Sequence, residues 1–212
     1  MNDYRVVNLA NWNSRVPHHE QGYELGLFRS DPTHLSNVVR FDLPRQGRLD
    51  GLDVVHPHVY TGIGALCWLP DVRRWAEVVA KLLRPGGRLF IREGHPMLWT
   101  LADPSPDGLL VVEYPNFETG GLPFSEPYTY VEHDEPLASP DTISFNHGLA
   151  EVITAVLEAG LSLTAIEEHH SVPWNPLGDA MEELADISEY RLQHLPERLP
   201  ATYTLQAEKA SS

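Results

Sequence analysis

The stretch DVRRWAEVVAKLLRPGGRLFIRE, Asp71 to Glu93, limits the folds open to this chain more than any other part of it. Asp71 can cap a helix whose apolar residues Val72, Trp75, Val78, Val79, Leu82 and Leu83 recur at helical spacing. Arg84-Pro85-Gly86-Gly87 stops that helix, because proline has no amide hydrogen and glycine accepts a left-handed turn. RLFIRE follows at once and reads as a buried strand, with Leu89 and Ile91 on one face and Phe90 on the other. A helix feeding a strand through a tight glycine turn is an α/β signature.

The same order returns further along. Leu149, Val152, Ile153, Val156 and Leu157 make an apolar stripe that ends at Ala159-Gly160, and LSLTAIEEH (Leu161 to His169) reads as the strand after it. ATYTLQAEK (Ala201 to Lys209) alternates like a last strand and follows the turn signals Leu195-Pro196 and Leu199-Pro200. No helix of useful length leads into it, so an antiparallel direction is expected. The stretch from Pro104 to Phe145 is rich in proline, tyrosine and acids, with short β-like pieces LLVVEY, PYTYVE and TISF. Such an insertion suits either a lid or substrate wall, or a small satellite core of its own. The first forty-odd residues are polar, with Trp12, Tyr23 and Phe28 as separate anchors and at most a turn or two of helix in HEQGYELGLF.

Composition serves mainly to exclude. The 212 residues, 42% of them hydrophobic, suit one domain with a real core, and no apolar run reaches the ~20 residues of a bilayer span. Fifteen basic residues against thirty acidic ones leave a net charge of −15 with no basic cluster, which argues against nucleic acid and anionic lipid. The densest acidic groups, Glu132, Asp134 and Glu135, then Glu182, Glu183 and Asp186, read as solvated faces. A small-molecule partner is expected. Cys67 is the single cysteine, so no internal disulfide forms, and MNDYRVVNLANWNSR lacks the charged-then-apolar order of a signal peptide. A cytoplasmic location is expected.

Few side chains offer chemistry. The pairs His18-His19, His56 with His58, and His169-His170 have no cysteine or carboxylate partners at a recognised ligand spacing, so no metal site is expected. Cys67 sits beside Trp68 in an apolar run and reads as buried filler. No Gly-x-Ser-x-Gly elbow is present, and Gly62-Ile63-Gly64 alone is weak evidence for a phosphate loop. Glu93 and His95 leave the carboxyl end of the RLFIRE strand, where open α/β sheets place ligands. They are candidates to orient a substrate or accept a proton, or else to cap a loop.

The ordered set TGIGALCWLPD, RRWAEVVAKLL, RPGG and RLFIREGHP resembles the second half of a class I S-adenosylmethionine-dependent methyltransferase. In that family these pieces are the loop after strand four, a helix, a turn and strand five. NHGLAEVITAVLEAGLSLTAIEEHHSVPW resembles the next helix and strand six, and LPATYTLQAEK the final antiparallel strand. At the front, Asn11, Trp12, Arg15 and His18 resemble the Asn-Trp-x-x-Arg-x-x-His cap of bacterial members. The resemblance covers roughly two thirds of the chain. It implies S-adenosyl-L-methionine as cofactor and a small molecule as acceptor. It places cofactor-side contacts at Trp12, Arg15, Thr61, Gly62, Ile63, Gly64, Ala65 and Leu66, and substrate contacts at Glu93 and His95.

GLDVVH (Gly51 to His56) resembles the first core strand, but the glycine turn and ribose-binding acidic residue that follow it in the family are absent. His56 passes through Pro57, His58, Val59 and Tyr60 straight to the loop after strand four. The expected fold is therefore α/β, a truncated Rossmann-like methyltransferase sheet with an antiparallel last strand and a β-rich insertion. Its parts are a cap (1–50), a core strand–helix–strand (51–101), the insertion (102–145) and a C-terminal core (146–212). Two functions fit: a methyltransferase for a small molecule, or a catalytically inactive binding or interaction module. The lost strands would leave an exposed sheet edge, which predicts poor solubility or a homodimer across the gap.

Overall fold

The computed structural model describes residues 3–23, 25–46, 58–105, 107–131 and 133–211. In chain order its elements begin with α1 (Tyr4–Gly22), α2 (Leu25–Ser30), α3 (Asn37–Gln46) and β1 (His58–Thr61). Then come α4 (Val72–Leu82), β2 (Arg88–Gly94), α5 (Pro96–Trp99), β3 (Leu122–Ser125), β4 (Asp141–Ser144), α6 (Leu149–Glu158) and β5 (Leu161–His169). The chain closes with β6 (Ser171–Val172), β7 (Met181–Leu184), β8 (Glu189–Leu192) and β9 (Thr202–Lys209).

The central sheet has the order β1-β2-β9-β5. β1 runs parallel to β2, while β9 lies between β2 and β5 and is antiparallel to both. The expected antiparallel last strand is there, inside the sheet. Both predicted helices also form. The Asp71 side chain accepts the Arg74 N–H at 2.9 Å to open α4; Gly86 (φ +71°) takes the left-handed position of the Arg84 to Gly87 turn between α4 and β2, and Gly160 (φ +82°) that of the turn that ends α6. Leu89, Ile91, Tyr203, Leu205 and Ala207 turn one face of the sheet onto Val72, Ala76, Val79, Val152 and Val156 of those two helices. That layer is the main core. The supposed first core strand, Gly51 to His56, and the junction at Pro57 lie outside the described residues.

The front and the insertion differ from expectation. α1 is a 19-residue helix containing Pro17, where sequence patterning offers a turn or two. Its periodicity is hidden because its buried residues are polar: Asn8, Asn11 and His19. Asn8 exchanges two 2.8 Å hydrogen bonds with the backbone of Ile143 in β4, and Asn11 donates to the Ser139 carbonyl at 2.8 Å. The cap thus docks by hydrogen bonding, which leaves no apolar stripe to read. In the insertion, TISF contributes β4, but its partner is LPFS at β3, and PYTYVE forms no strand among its described residues. LLVVEY contributes only a bridge from Val112 to Leu101. Glu182 and Glu183 lie on β7 of a separate sheet of order β6-β8-β7, with Glu182 paired to Arg191 at 2.8 Å.

The second face of the central sheet is charged. Arg92 is fully buried, 2.7 Å from Glu189 Oε1 of β8 and 4.0 Å from Asp42 Oδ1 of α3, and its guanidinium lies 3.7 Å over the Phe41 ring. Tyr60 donates to Asp42 at 2.7 Å, and Ser171 donates to Glu189 at 2.5 Å. This cluster ties α3, β1, β2 and the C-terminal sheet together. Removing one partner strands the other charge, so Glu189→Ala is expected to cost about 3–5 kcal/mol in urea unfolding.

His169 lies on the same face, 3.1 Å from Thr204 Oγ1. Burial, reinforced by Arg45 and Arg92 against the opposing Glu167, pushes its pKa down to about 4. The unfolded chain therefore takes this proton first. The stability that His169 contributes is complete above its ordinary pKa of about 6.5 and is lost as the pH falls toward 4, by up to about 3 kcal/mol. Unfolding free energies measured from pH 7 to pH 4 should fall less steeply in H169Q than in the wild type.

Candidate functional site

The carboxyl ends of β1 and β2 face the same way, and the loop after β1 begins the site. Thr61 ends β1; Gly62, Ile63, Gly64 and Ala65 turn the chain; Leu66 opens a short 3-10 turn to Trp68. Gly64 has φ +80°, a left-handed value that glycine adopts without strain. The loop is held from below by Glu93. Its Oε1 accepts the Gly64 N–H at 2.6 Å and the Gly94 N–H at 2.8 Å, and its Oε2 accepts those of Ala65 at 2.9 Å and Leu66 at 2.8 Å. Burial raises the pKa of this carboxyl and the four amides oppose that rise. Each amide can only donate, so the ionised form is the one that these bonds satisfy.

This geometry corrects the expectation that Glu93 is free to orient a substrate or accept a proton. Both of its oxygens are taken, and the loop-capping alternative is what its bonds describe. His95 is likewise a cap. Its Nδ1 accepts the Met97 N–H at 3.0 Å to start α5, which places the ring proton on Nε2, 2.8 Å from Glu168 Oε1. Burial lowers the His95 pKa and Glu168 opposes that shift. Its Nε2 proton faces Glu168, which is 55% exposed, so only this edge of the residue reaches toward solvent.

Trp12 and Arg15 come to the loop from α1. The Trp12 ring meets Trp68 edge-on with centroids 5.3 Å apart, and the Arg15 guanidinium lies 5.5 Å over Trp12 and 5.8 Å over Trp68. Arg15 Nε is buried without a hydrogen-bond partner, and no carboxylate pairs with this residue among the described residues. Burial lowers its pKa. A desolvated cation without an anion is costly, and here it stands beside the loop. Of the eight cofactor-side positions expected from sequence, Trp12 and Arg15 pack on Trp68, in the 3-10 turn that follows the Thr61 to Leu66 loop, and Glu93 anchors that loop.

Behind the loop is a narrow cleft with space for about a single water molecule, bordered by Cys67, Glu93, Trp99, Asn146, His147 and Tyr203. Trp99 packs so closely on Gly94 that a Cβ there would lie 2.5 Å from its Nε1. Sequence reading passed over Trp99, Asn146, His147 and Tyr203, which come from three separate segments of the chain. Burial and the nearby Glu93 push the Cys67 thiol well above its usual range, as befits filler. Among the described residues no group of three histidine, cysteine or acidic side chains is placed to hold a metal ion. None of the described helices is long and apolar enough to cross a membrane.

No family model and no curated protein matches the chain. Solved structures of similar outline include a Listeria monocytogenes protein described as an S-adenosylmethionine-dependent methyltransferase, with 14% identity and a TM-score of 0.46 over 72% of this chain and 61% of that one. An S-adenosylmethionine-dependent methyltransferase from Mesorhizobium loti gives 19% and 0.44 over 77% and 67%. The CcbJ methyltransferase from Streptomyces caelestis gives 14% and 0.40 over 77% and 62%. The chain thus spans about three fifths to two thirds of the length of these proteins. Likeness at this level identifies neither ligand nor activity.

The clamp on the loop can be tested directly. In Glu93→Gln an amide NH2 replaces one acceptor oxygen and confronts a backbone donor. A loss of about 3 kcal/mol is expected, with faster hydrogen exchange at Gly64, Ala65 and Leu66 than in the wild type.

Proposed function

We propose that this chain is a class I S-adenosylmethionine-dependent methyltransferase in type, with a small molecule as acceptor. The observation that carries this reading is the sheet. Its order β1-β2-β9-β5 sets the piece that resembles the final antiparallel strand, β9, between those that resemble strands five and six and reversed relative to both. The loop expected to face the cofactor stands at the carboxyl ends of the parallel pair, where such sheets bind ligands.

Two features bear on the fit to the cofactor. Arg15, a half-buried cation with no carboxylate partner among the described residues, suits the carboxylate of an amino-acid-bearing ligand, and Trp12 and Trp68 border its guanidinium. The glycine turn and the acidic ribose partner of the family have no counterpart among the described residues. When bound, S-adenosylmethionine would supply an electrophilic methyl group on its sulfonium. Arg15 would hold the carboxylate by charge, Trp12 and Trp68 would exclude water from that pair, and Glu93 would keep the loop in one conformation. Neither Glu93 nor His95 is placed to take the acceptor's proton, so the reading asks for an acceptor already nucleophilic when neutral.

A second reading, a binding or interaction module without transferase activity, is favoured by the narrowness of the cleft beside Glu93. Calorimetric titration of the purified chain with S-adenosylmethionine and with its demethylated product separates the two. The transferase reading expects dissociation constants in the micromolar range, weakened at least tenfold in R15Q. No heat at millimolar ligand, from protein with an intact circular dichroism spectrum, would leave only the module.

A further inference from the structure

His147 is buried just ahead of α6, and both of its ring nitrogens meet an acceptor. Nδ1 lies 2.9 Å from Glu118 Oε2, and Nε2 lies 2.7 Å from the Leu69 carbonyl oxygen. A carbonyl oxygen and a carboxylate can only accept, so serving both at once requires a proton on each nitrogen. The geometry describes an imidazolium. We infer that protonated His147 is a latch, which fastens the insertion to the Cys67 to Leu69 turn and so closes the cleft beside Glu93.

The surroundings support a bond of this kind and show what it holds. Glu118 closes the first arm of the insertion, and its N–H donates to Glu151 of α6 at 3.1 and 3.2 Å. Phe145 ends the second arm and donates its N–H to the Cys67 carbonyl at 2.8 Å. Asn146 reaches across to the Pro115 carbonyl at 2.9 Å. Between them these bonds draw both arms of the insertion onto the turn, and among the described residues His147 alone bonds directly to both the turn and the first arm.

The groups facing His147 are mostly acidic. Glu118 lies on the insertion arm, Glu93 beneath the turn in the same cleft, and Glu151 on the first turn of α6. The Cys67 thiol and Tyr203 phenol border the cleft as neutral groups. The positive end of the α6 dipole opposes a cation here, but the Glu151 carboxylate covers it by accepting the Gly148 N–H at 2.6 Å. Loss of the proton leaves either the half-buried Leu69 carbonyl without its donor or the Glu118 carboxylate facing a lone pair. One arm of the latch is then released, and the cleft gains an entrance. The device is independent of whether the chain transfers methyl groups.

Hydrogen exchange at the Phe145 and Glu118 amides tests this, after correction for the intrinsic dependence of exchange on pH. In the wild type, protection of both amides should fall at least tenfold between pH 5.5 and pH 8. E118Q should abolish that fall. The carboxamide it introduces can donate to Nδ1 while the neutral ring's Nε2–H serves Leu69, so the latch holds at either pH. Nitrogen-15 spectra of the wild-type ring at pH 5.5 should show both nitrogens protonated. Equal protection at the two pH values in the wild type, a fall in E118Q as large as the wild type's, or a neutral ring at pH 5.5 would each overturn the inference.

Discussion

One buried carboxylate organises the end of the molecule where chemistry is expected. Glu93 gathers four backbone amides from two connections, the loop after β1 and the exit of β2. Those amides would otherwise be buried donors without acceptors, each costing about 1–3 kcal/mol. Because the clamp spans neighbouring parallel strands, it fixes the loop relative to the sheet. Everything nearby is then measured from that loop: Trp68 gives Trp12 and Arg15 a surface to pack on, Leu69 gives His147 an acceptor, and Cys67 gives Phe145 one.

The sheet beneath has two unlike faces. One is an ordinary apolar layer under α4 and α6. The other carries Arg92, Asp42, Glu189 and His169 out of water, with the exposed Tyr60 bonded to Asp42 at the margin, an arrangement that single residues cannot leave without stranding a partner. β1 has β2 as its only sheet neighbour among the described strands. Charge on the second face holds α3 against that sheet.

Much of this was legible in the sequence where periodicity and turn chemistry agree. Asp71, the apolar stripe of α4, the Gly86 turn and the alternation of β2 each point one way, and α6, Gly160, β5 and β9 repeat the pattern. α1 was hidden because it docks through Asn8 and Asn11 instead of an apolar face. The three strands β6, β7 and β8 were hidden by their brevity and by the glutamates on β7. At the site, the loop residues and Arg15 were visible through the family pattern. The clamping role of Glu93 was only one of two options, and His147, Trp99 and Tyr203 could not be assembled without the fold.

The proposed function sets the Thr61 to Leu66 loop, with Trp12 and Arg15, against the cofactor. A nitrogen–proton correlation spectrum, recorded with and without the demethylated cofactor, tests it most directly. The account predicts shifts concentrated at the amides of Thr61 to Leu66, the Trp12 indole and Arg15 Nε–H. A spectrum unchanged at millimolar ligand, or changed chiefly at residues remote from these, would contradict it.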